Sequence, residues 1–456
     1  MIYQFFYIDF FPKVNYLLSW WHTASLEARF LVWYKSKGIL MIQRVKGTHD
    51  YLDLTLFNFI IERATVLFKQ HHFTPIMTPI VEPTELFVRS LGQQTDVVSK
   101  EMYVIPSTDG ESICLRPEAT ASTVRAFVEN GIQHVPWKVF TWGPMFRHEK
   151  PQKGRYRQFH QISLEVIGSS AIAQDAQLIA MLDYLFSQLL TFDAYALQIN
   201  FLGCHDDRAR FKETLGSYLD SVIDKLCDNC KVRKEKNIMR VFDCKVPTCQ
   251  GLYTKAPVIT DHLCVTCTEE WKTVQELLEA LSVAYTIRPQ LVRGLDYYNK
   301  TVFEFVSGAL GAQNAFCGGG RYDQLVTMVG GKEDRPSVGA AIGVERLMLM
   351  LEPLKDKLPL PQLPALQVVI PVAPAQQTVA LLLGQELINQ GLCAEVLLDG
   401  GMKQMMRHAN RIGAKYALII GDTEQAERAV TIKNMVTGQE TKVQQTEAAK
   451  FVKNGS

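Results

Sequence analysis

Residues 352–366 read EPLKDKLPLPQLPAL. Prolines at 353, 359, 361 and 364 fix φ and remove backbone donors, so neither a helix interior nor a central strand passes through this stretch. The 456-residue chain therefore folds as separate units on either side of a linker at 352–365, within the two to four domains its length suggests. At 47% hydrophobic and 21% charged residues it can bury sizeable cores, while a net charge of +1 excludes a globally basic nucleic-acid binder. Contact with nucleic acid would have to come from local patches. The opening MIYQFFYIDFFPKVNYLLSWW is broken by Gln4, Asp9, Lys13 and Asn15, which fits neither a membrane span nor a secretory leader. A cytoplasmic protein with no membrane partner is expected.

Residues 1–40 are aromatic-rich without a repeat, whereas MIQRVKGTHDYLD from Met41 looks like the start of a domain; the first 40 residues are either an appended helix or the product of a start codon placed too far upstream. From 41 to 203, apolar spacing predicts a helix at 55–72 and strand-like segments at FTPIMTPIVEP, SICLRPEAT, KVFTWGPMFRHE and RQFHQISLEVIG. This is the pattern of an α+β core with an antiparallel sheet and flanking helices. Residues 204–281 change to a charged, helical, cysteine-rich insertion, after which strand patterns resume at 285–305 and 312–321 within a second core segment at 282–351. Beyond the linker, residues 366–456 alternate short apolar strands with helices, an α/β domain with a mostly parallel sheet. Lys403, Arg407, Arg411 and Lys415 recur every four residues there, as a solvated face or one that meets phosphate.

The densest basic patch is FRHEKPQKGRYRQFHQ, with Arg147, Lys150, Lys153, Arg155 and Arg157 opposed by Glu149 alone. A loop between two strands with these cations suits a polyphosphate or an RNA backbone, though a solvated hairpin also accounts for it. Cysteines cluster at CDNC (Cys227, Cys230), Cys244, Cys249 and CVTC (Cys264, Cys267). Two CxxC knuckles are the local spacing of a tetrahedral thiolate site, so one structural Zn2+ is expected on Cys227, Cys230, Cys264 and Cys267, against the alternative of reduced, buried thiols. The stretch LVRGLDYYNKTVFEF places Arg293, Gly294, Asp296, Tyr297 and Tyr298 immediately before a buried strand, where they serve either a turn or a pocket.

FRHEKPQKGRYRQFHQ resembles motif 2 of the class II aminoacyl-tRNA synthetases, GAAIGVERL resembles motif 3 and TPIVEPTELF motif 1. RGLDYY and CGGGRYD are similar to the two signature peptides of the histidyl-specific family within that class, and KQMMRHANRIGAKYALIIGDTE resembles its anticodon-binding domain. The resemblance implies ATP-dependent activation of L-histidine, transfer to the histidine tRNA, Mg2+ on the β- and γ-phosphates, and a homodimer through motif 1. Carried onto this sequence, Arg147 and Arg293 hold the α-phosphate from opposite sides as the catalytic pair. Phe159 stacks on adenine, Arg155 reaches the γ-phosphate, and Arg346 covers adenine or reaches that phosphate. Glu118, Ala119, Thr120 and Gln161 surround the α-amino group, while Glu165, Tyr297 and Tyr298 line the imidazole pocket. A neutral imidazole presents one donor and one acceptor, so a discriminating pocket needs a fixed partner for each; Glu165 and Tyr298 are expected to supply them. Such a site rejects analogues by roughly 10⁴ to 10⁵ without editing. The basic KVRKEKNIMR beside the first knuckle is a candidate contact for the tRNA acceptor arm. A regulatory, non-catalytic paralogue of the catalytic domain is the competing reading; the presence of Arg147, Arg293 and Arg346 and of the last domain argues against it.

Overall fold

The computed structural model describes residues 42–455 apart from 94, 107–109, 312–313 and 363, so the extension read at 1–40 lies outside the described residues. The chain divides into two compact units, one ending at Leu358 and the other starting at Pro359.

In the first unit the strands are β1 (Thr74–Pro75), β2 (Val81–Pro83), β3 (Tyr103–Ile105), β4 (Ile113–Leu115), β5 (Trp137–Phe146), β6 (Gln158–Ile167), β7 (Ala196–Phe201), β8 (Thr286–Ile287), β9 (Asn299–Val306), β10 (Ala315–Arg321) and β11 (Ser337–Gly343). Eight of them form one sheet in the order β1-β5-β6-β11-β10-β9-β7-β8, antiparallel except for the two-residue edge strands β1 and β8. The remaining three make a small sheet ordered β2-β4-β3. Helix α1 (Thr55–Gln70) buries Leu56, Phe57, Phe59, Ile60, Ala64, Leu67 and Phe68 on one stripe, as its apolar spacing requires. The other helices of this unit used below are α2 (Thr84–Leu91), α3 (Thr120–Glu129), α4 (Ala173–Leu189), α5 (His205–Ser221), α6 (Asp228–Lys236), α7 (Pro247–Tyr253), α8 (Val265–Ala280) and α9 (Val344–Leu351). Helix α9 packs on β6 and α1, and α4 on β11, which covers one face of the sheet.

FTPIMTPIVEP does not form the single strand expected of it. Only β1 and β2 are regular, and the intervening chain is tied by the buried Arg116, which donates to Thr78 O and Oγ1, both at 3.0 Å, and to Pro144 O at 3.1 Å. The strand pattern at 285–305 likewise splits into β8 and β9, with the RGLDYY stretch as the loop between them.

The second unit holds β12 (Leu366–Pro371), α10 (Gln377–Asn389), β13 (Cys393–Val396), α11 (Met402–Arg411), β14 (Tyr416–Ile420), β15 (Ala429–Asn434), β16 (Glu440–Gln444) and α12 (Ala448–Asn454). Its sheet runs β13-β12-β14-β15-β16, with two parallel pairings followed by two antiparallel ones. The mostly parallel sheet is thus corrected to a mixed one, because β15 and β16 form a hairpin. Its turn is closed by Asn434, whose side chain accepts from the amides of Val436 and Thr437, and by Gly438 at φ +75°. The four-residue basic stripe is corrected as well. Helix α11 ends at Arg411, Gly413 turns the chain at φ +71°, and Lys415 leaves the face of Lys403, Arg407 and Arg411 to lie over the Tyr416 ring.

Candidate active site

Strand β6 supplies the floor. Phe159, Gln161 and Glu165 fall on one face by the two-residue period of a strand. The register sets Gln161 between Gly143 and Gly343, and Glu165 between Val139 and Gly339. Gly339 is required by space: a Cβ there would stand 1.8 Å from Glu165 Oε2. The Glu165 carboxylate, 1% exposed, accepts from Thr120 Oγ1 at 2.7 Å and from the Tyr322 hydroxyl. Burial pushes its pKa up to about 8 despite these two donors, and the nearby Glu118 charge adds to the rise. At neutral pH the ligand-free pocket therefore holds Glu165 largely protonated. Tyr322 belongs to CGGGRYD, yet it is a site residue that the motif reading passes over. Its relation to Glu165, 157 positions earlier, depends on how distant strands align. The buried Oε1 of Gln161 has no partner among the described residues, leaving an acceptor facing the pocket.

The LRPEAT loop enters α3 beside this floor. Glu118 accepts from the amides of Thr120 at 2.7 Å and Ala121 at 2.8 Å, capping the helix, although burial still raises its pKa. Ala119 sits at φ −106°, a conformation that suits an L-residue with a side chain.

Four guanidinium groups converge above β6. Arg147 donates to Pro117 O at 3.0 Å and lies 5.4 Å from the centre of the Phe159 ring. Burial, and to a smaller extent the charge of Arg293, lowers its pKa. Arg293 faces Gly318, where a Cβ would stand 2.5 Å from its Nη1. Burial lowers its pKa, but the paired Glu304 together with Tyr298 and Tyr297 more than offsets this and raises it, while its buried Nε is unpartnered among the described residues. Arg346 donates to Gly154 O at 2.9 Å and to Ala315 O, which ties the motif 2 loop to β10. Its pKa falls to about 10 through burial and through repulsion by Arg147 and Arg155. Arg155 is held by Glu149 and, at 3.5 Å, by Glu101. Glu345, the acidic residue inside motif 3, is already engaged by the backbone amide and ring of His160 and by Tyr51, so it has little left to offer a cation.

Tyr297 and Tyr298 are buried with ring centres 4.5 Å apart, and Tyr297 meets Tyr322 edge-on at 5.6 Å. Gly294 is not in the left-handed region, so the turn does not depend on it. Asp296 accepts from Asn237 Nδ2 at 2.7 Å, and Gly294 O accepts from Arg240 at 3.3 Å. The loop is therefore held from the insertion. In KVRKEKNIMR, Arg233 and Arg240 pair with Asp96, and Lys234 with Asp220, which neutralises part of that basic run.

The cysteines are corrected in their grouping. Cys227 and Cys230 lie with Cys244 and Cys249, whereas Cys264 and Cys267 lie with Cys204 and Asp207. The two knuckles do not share a site, because each is completed by donors that the CxxC pattern does not contain.

Residues 103–352 match the tRNA synthetase class II core domain (G, H, P, S and T), and residues 367–455 match an anticodon binding domain. A histidine–tRNA ligase of Solidesulfovibrio magneticus is 44% identical over 406 residues, covering 88% of this chain and 94% of that protein. One from Fervidobacterium nodosum is 41% identical over 422 residues, covering 91% and 99%. In three dimensions, the apo histidyl-tRNA synthetase of S. aureus matches with a TM-score of 0.74 at 31% identity, over 90% of this chain and 99% of that one.

Proposed function

We propose, for a chain that belongs to the histidine–tRNA ligase family, that its adenylation step is driven by the guanidinium cluster of Arg147, Arg293, Arg155 and Arg346. The enzyme activates L-histidine with ATP to histidyl-adenylate and transfers histidine to its tRNA. One observation carries the proposal: four guanidinium groups gather over one strand, with Arg147 and Arg346 held below the usual guanidinium range by burial and then by neighbouring arginines, which is costly until a polyanion enters, and ATP is that polyanion.

In this reading Glu165 and Tyr298 hold the imidazole, and Tyr297 completes the pocket wall. Glu118, Thr120 and the unpartnered Gln161 Oε1 meet the α-amino group beside Ala119. The histidine carboxylate attacks the α-phosphorus and pyrophosphate leaves, while Arg147 and Arg293 face the charge that grows on the non-bridging oxygens. Phe159 stacks on adenine, Arg346 closes the motif 2 loop over the nucleotide, and Arg155 exchanges its carboxylates for the γ-phosphate. The tRNA 3′ hydroxyl then attacks the carbonyl carbon and AMP departs. Class II synthetases use Mg2+ with ATP. Glu101 and Glu304 are hard oxygen donors among the arginines and would hold it, where it supplies charge neutralisation on the leaving pyrophosphate.

The remaining assignments are a homodimer, a cytoplasmic location, structural Zn2+ in the insertion, and anticodon reading by the second unit. Exposed Met77, Ile80 and Val81 along motif 1, with Trp142, support a surface for a second copy. No helix among the described residues is long and apolar enough to cross a membrane. Histidine-dependent pyrophosphate exchange tests the catalytic reading; loss of exchange in Arg147→Ala and Arg293→Ala with folding preserved is the expected result.

A further inference from the structure

We infer that the insertion carries two separate metal ions, one on Cys227, Cys230, Cys244 and Cys249 and one on Cys204, Asp207, Cys264 and Cys267, and that both brace the histidine-signature loop. This goes beyond a single structural zinc; the count of two ions stands apart from the catalytic assignments, whereas the bracing role rests on the histidine-pocket reading above.

In each quartet the ligand atoms all lie within 4.8 Å of one another. A tetrahedral ion with metal–sulfur bonds of about 2.3 Å holds its ligands about 3.8 Å apart. Cys227 and Cys244 Sγ stand at 3.8 Å, far beyond the roughly 2.05 Å of a disulfide. Cys227, Cys264 and Cys204 immediately precede α6, α8 and α5, so each helix start fixes the direction of one thiol. Thiolate donors with at most one carboxylate suit Zn2+ rather than a hard cation. Asp207 is fully buried; its Oδ2 accepts the Cys204 amide at 3.2 Å, Oδ1 takes the Cys264 amide at 2.9 Å and Arg210 at 2.5 Å, and the carboxylate also accepts from the Cys267 thiol. An ion that displaces the thiol proton would take both Cys267 Sγ and a carboxylate lone pair.

Each site then acts on the same loop. The first quartet encloses residues 228–248, and within them Asn237 and Arg240 hold Asp296 and Gly294. The second sits at the base of α5, where Arg208 donates to Tyr298 O at 2.9 Å. Cys230, Cys244 and Cys249 pack in one apolar cluster with Tyr297, Tyr298 and Tyr322. The metals would position the pocket wall without touching substrate.

Metal analysis of the full-length protein should give about two zinc ions per chain. Cys244→Ser and Cys264→Ser should each lose one ion and keep the other, and the exposed Cys393→Ser should lose none. Should either variant be insoluble, Co2+ loaded into the metal-depleted wild type gives the same answer, as two tetrahedral thiolate spectra that saturate at two equivalents. A maximum of one ion, or both ions lost from each single variant, overturns the two-site assignment; a visible absorption band with iron overturns the zinc class. For the bracing role, Cys244→Ser should reduce kcat/KM for histidine by about 10²-fold through a raised KM, as expected for a misplaced pocket wall, with KM for ATP unchanged. Equal losses for both substrates would reject it.

Discussion

Gly339→Ala tests Glu165, the proposed imidazole acceptor, apart from the rest of the enzyme. The new Cβ would lie 1.8 Å from Glu165 Oε2 and 2.7 Å from Leu164 O, so the carboxylate contact must open to the 3.4 Å of ordinary packing, a displacement of about 1.6 Å. Strand β11 cannot supply all of it, because it is hydrogen-bonded to β6 on one side and β10 on the other. The side chain of Glu165 has to move instead, away from Thr120 and Tyr322. With Glu165 largely protonated at neutral pH, each of those bonds contributes about 0.5–1.5 kcal/mol, so a stability loss of about 1–3 kcal/mol is expected from chemical denaturation. An acceptor displaced by more than 1 Å should lower kcat/KM for histidine by about 10²-fold or more in pyrophosphate exchange. The proposed ATP contacts are the arginines, so KM for ATP should hold. A variant with wild-type KM for histidine would refute the role given to Glu165, and one impaired equally toward ATP would show that β11 had shifted as a whole.

Arg293→Ala should lower adenylate formation by roughly 10²- to 10³-fold with histidine binding retained, read by exchange kinetics and calorimetry. Because the folded pKa of Glu165 is about 8 against 4.5 unfolded, folding takes up a proton between those values. Its contribution to stability is therefore lost as pH rises from about 4.5 to 8, by about 3–5 kcal/mol. Comparing denaturation of the ligand-free wild type and Glu165→Gln across this range should show the wild type losing stability relative to the variant; parallel curves would contradict the raised pKa. Ending the chain at Leu358, the boundary between the two units, should leave exchange within about tenfold, or roughly 1.4 kcal/mol in barrier, while tRNA charging falls sharply. Equal loss of both activities in a truncated protein shown to be folded would contradict the division of labour.

The elements legible in the sequence were those whose signal is local. Strands β5 and β6 showed as long apolar segments on either side of a polar loop, and α1 as a helical stripe. What escaped depends on register and on distant partners. CxxC spacing announces a thiol pair but not its complement, and Cys204 and Asp207 stand at the start of α5, 57 positions or more before Cys264. Tyr322 acquires meaning only when β10 and β11 align beside β6. Two prolines within FTPIMTP look compatible with an edge strand until the backbone shows Arg116 satisfying carbonyls that no neighbouring strand reaches. The break of the basic stripe before Lys415 was signalled by Gly413, which a four-residue count passes over.

The position of β11 in the sheet carries a consequence for synthesis of the protein. Strand β6 finds β5 at once through a local hairpin, but its other edge waits for residues 337–343, beyond the whole insertion. A nascent chain that has emerged only through the insertion presents the open edge of β6, with Ile162 to Ile167 poised for burial and a carboxylate whose glycine neighbour is still untranslated. Unpaired apolar strand edges recruit other strands, and long-range pairings close slowly. Ribosome-bound chains halted between residues 281 and 336 are therefore the stage at which this enzyme depends most on holdase chaperones, and release past β11 is the point at which that dependence ends.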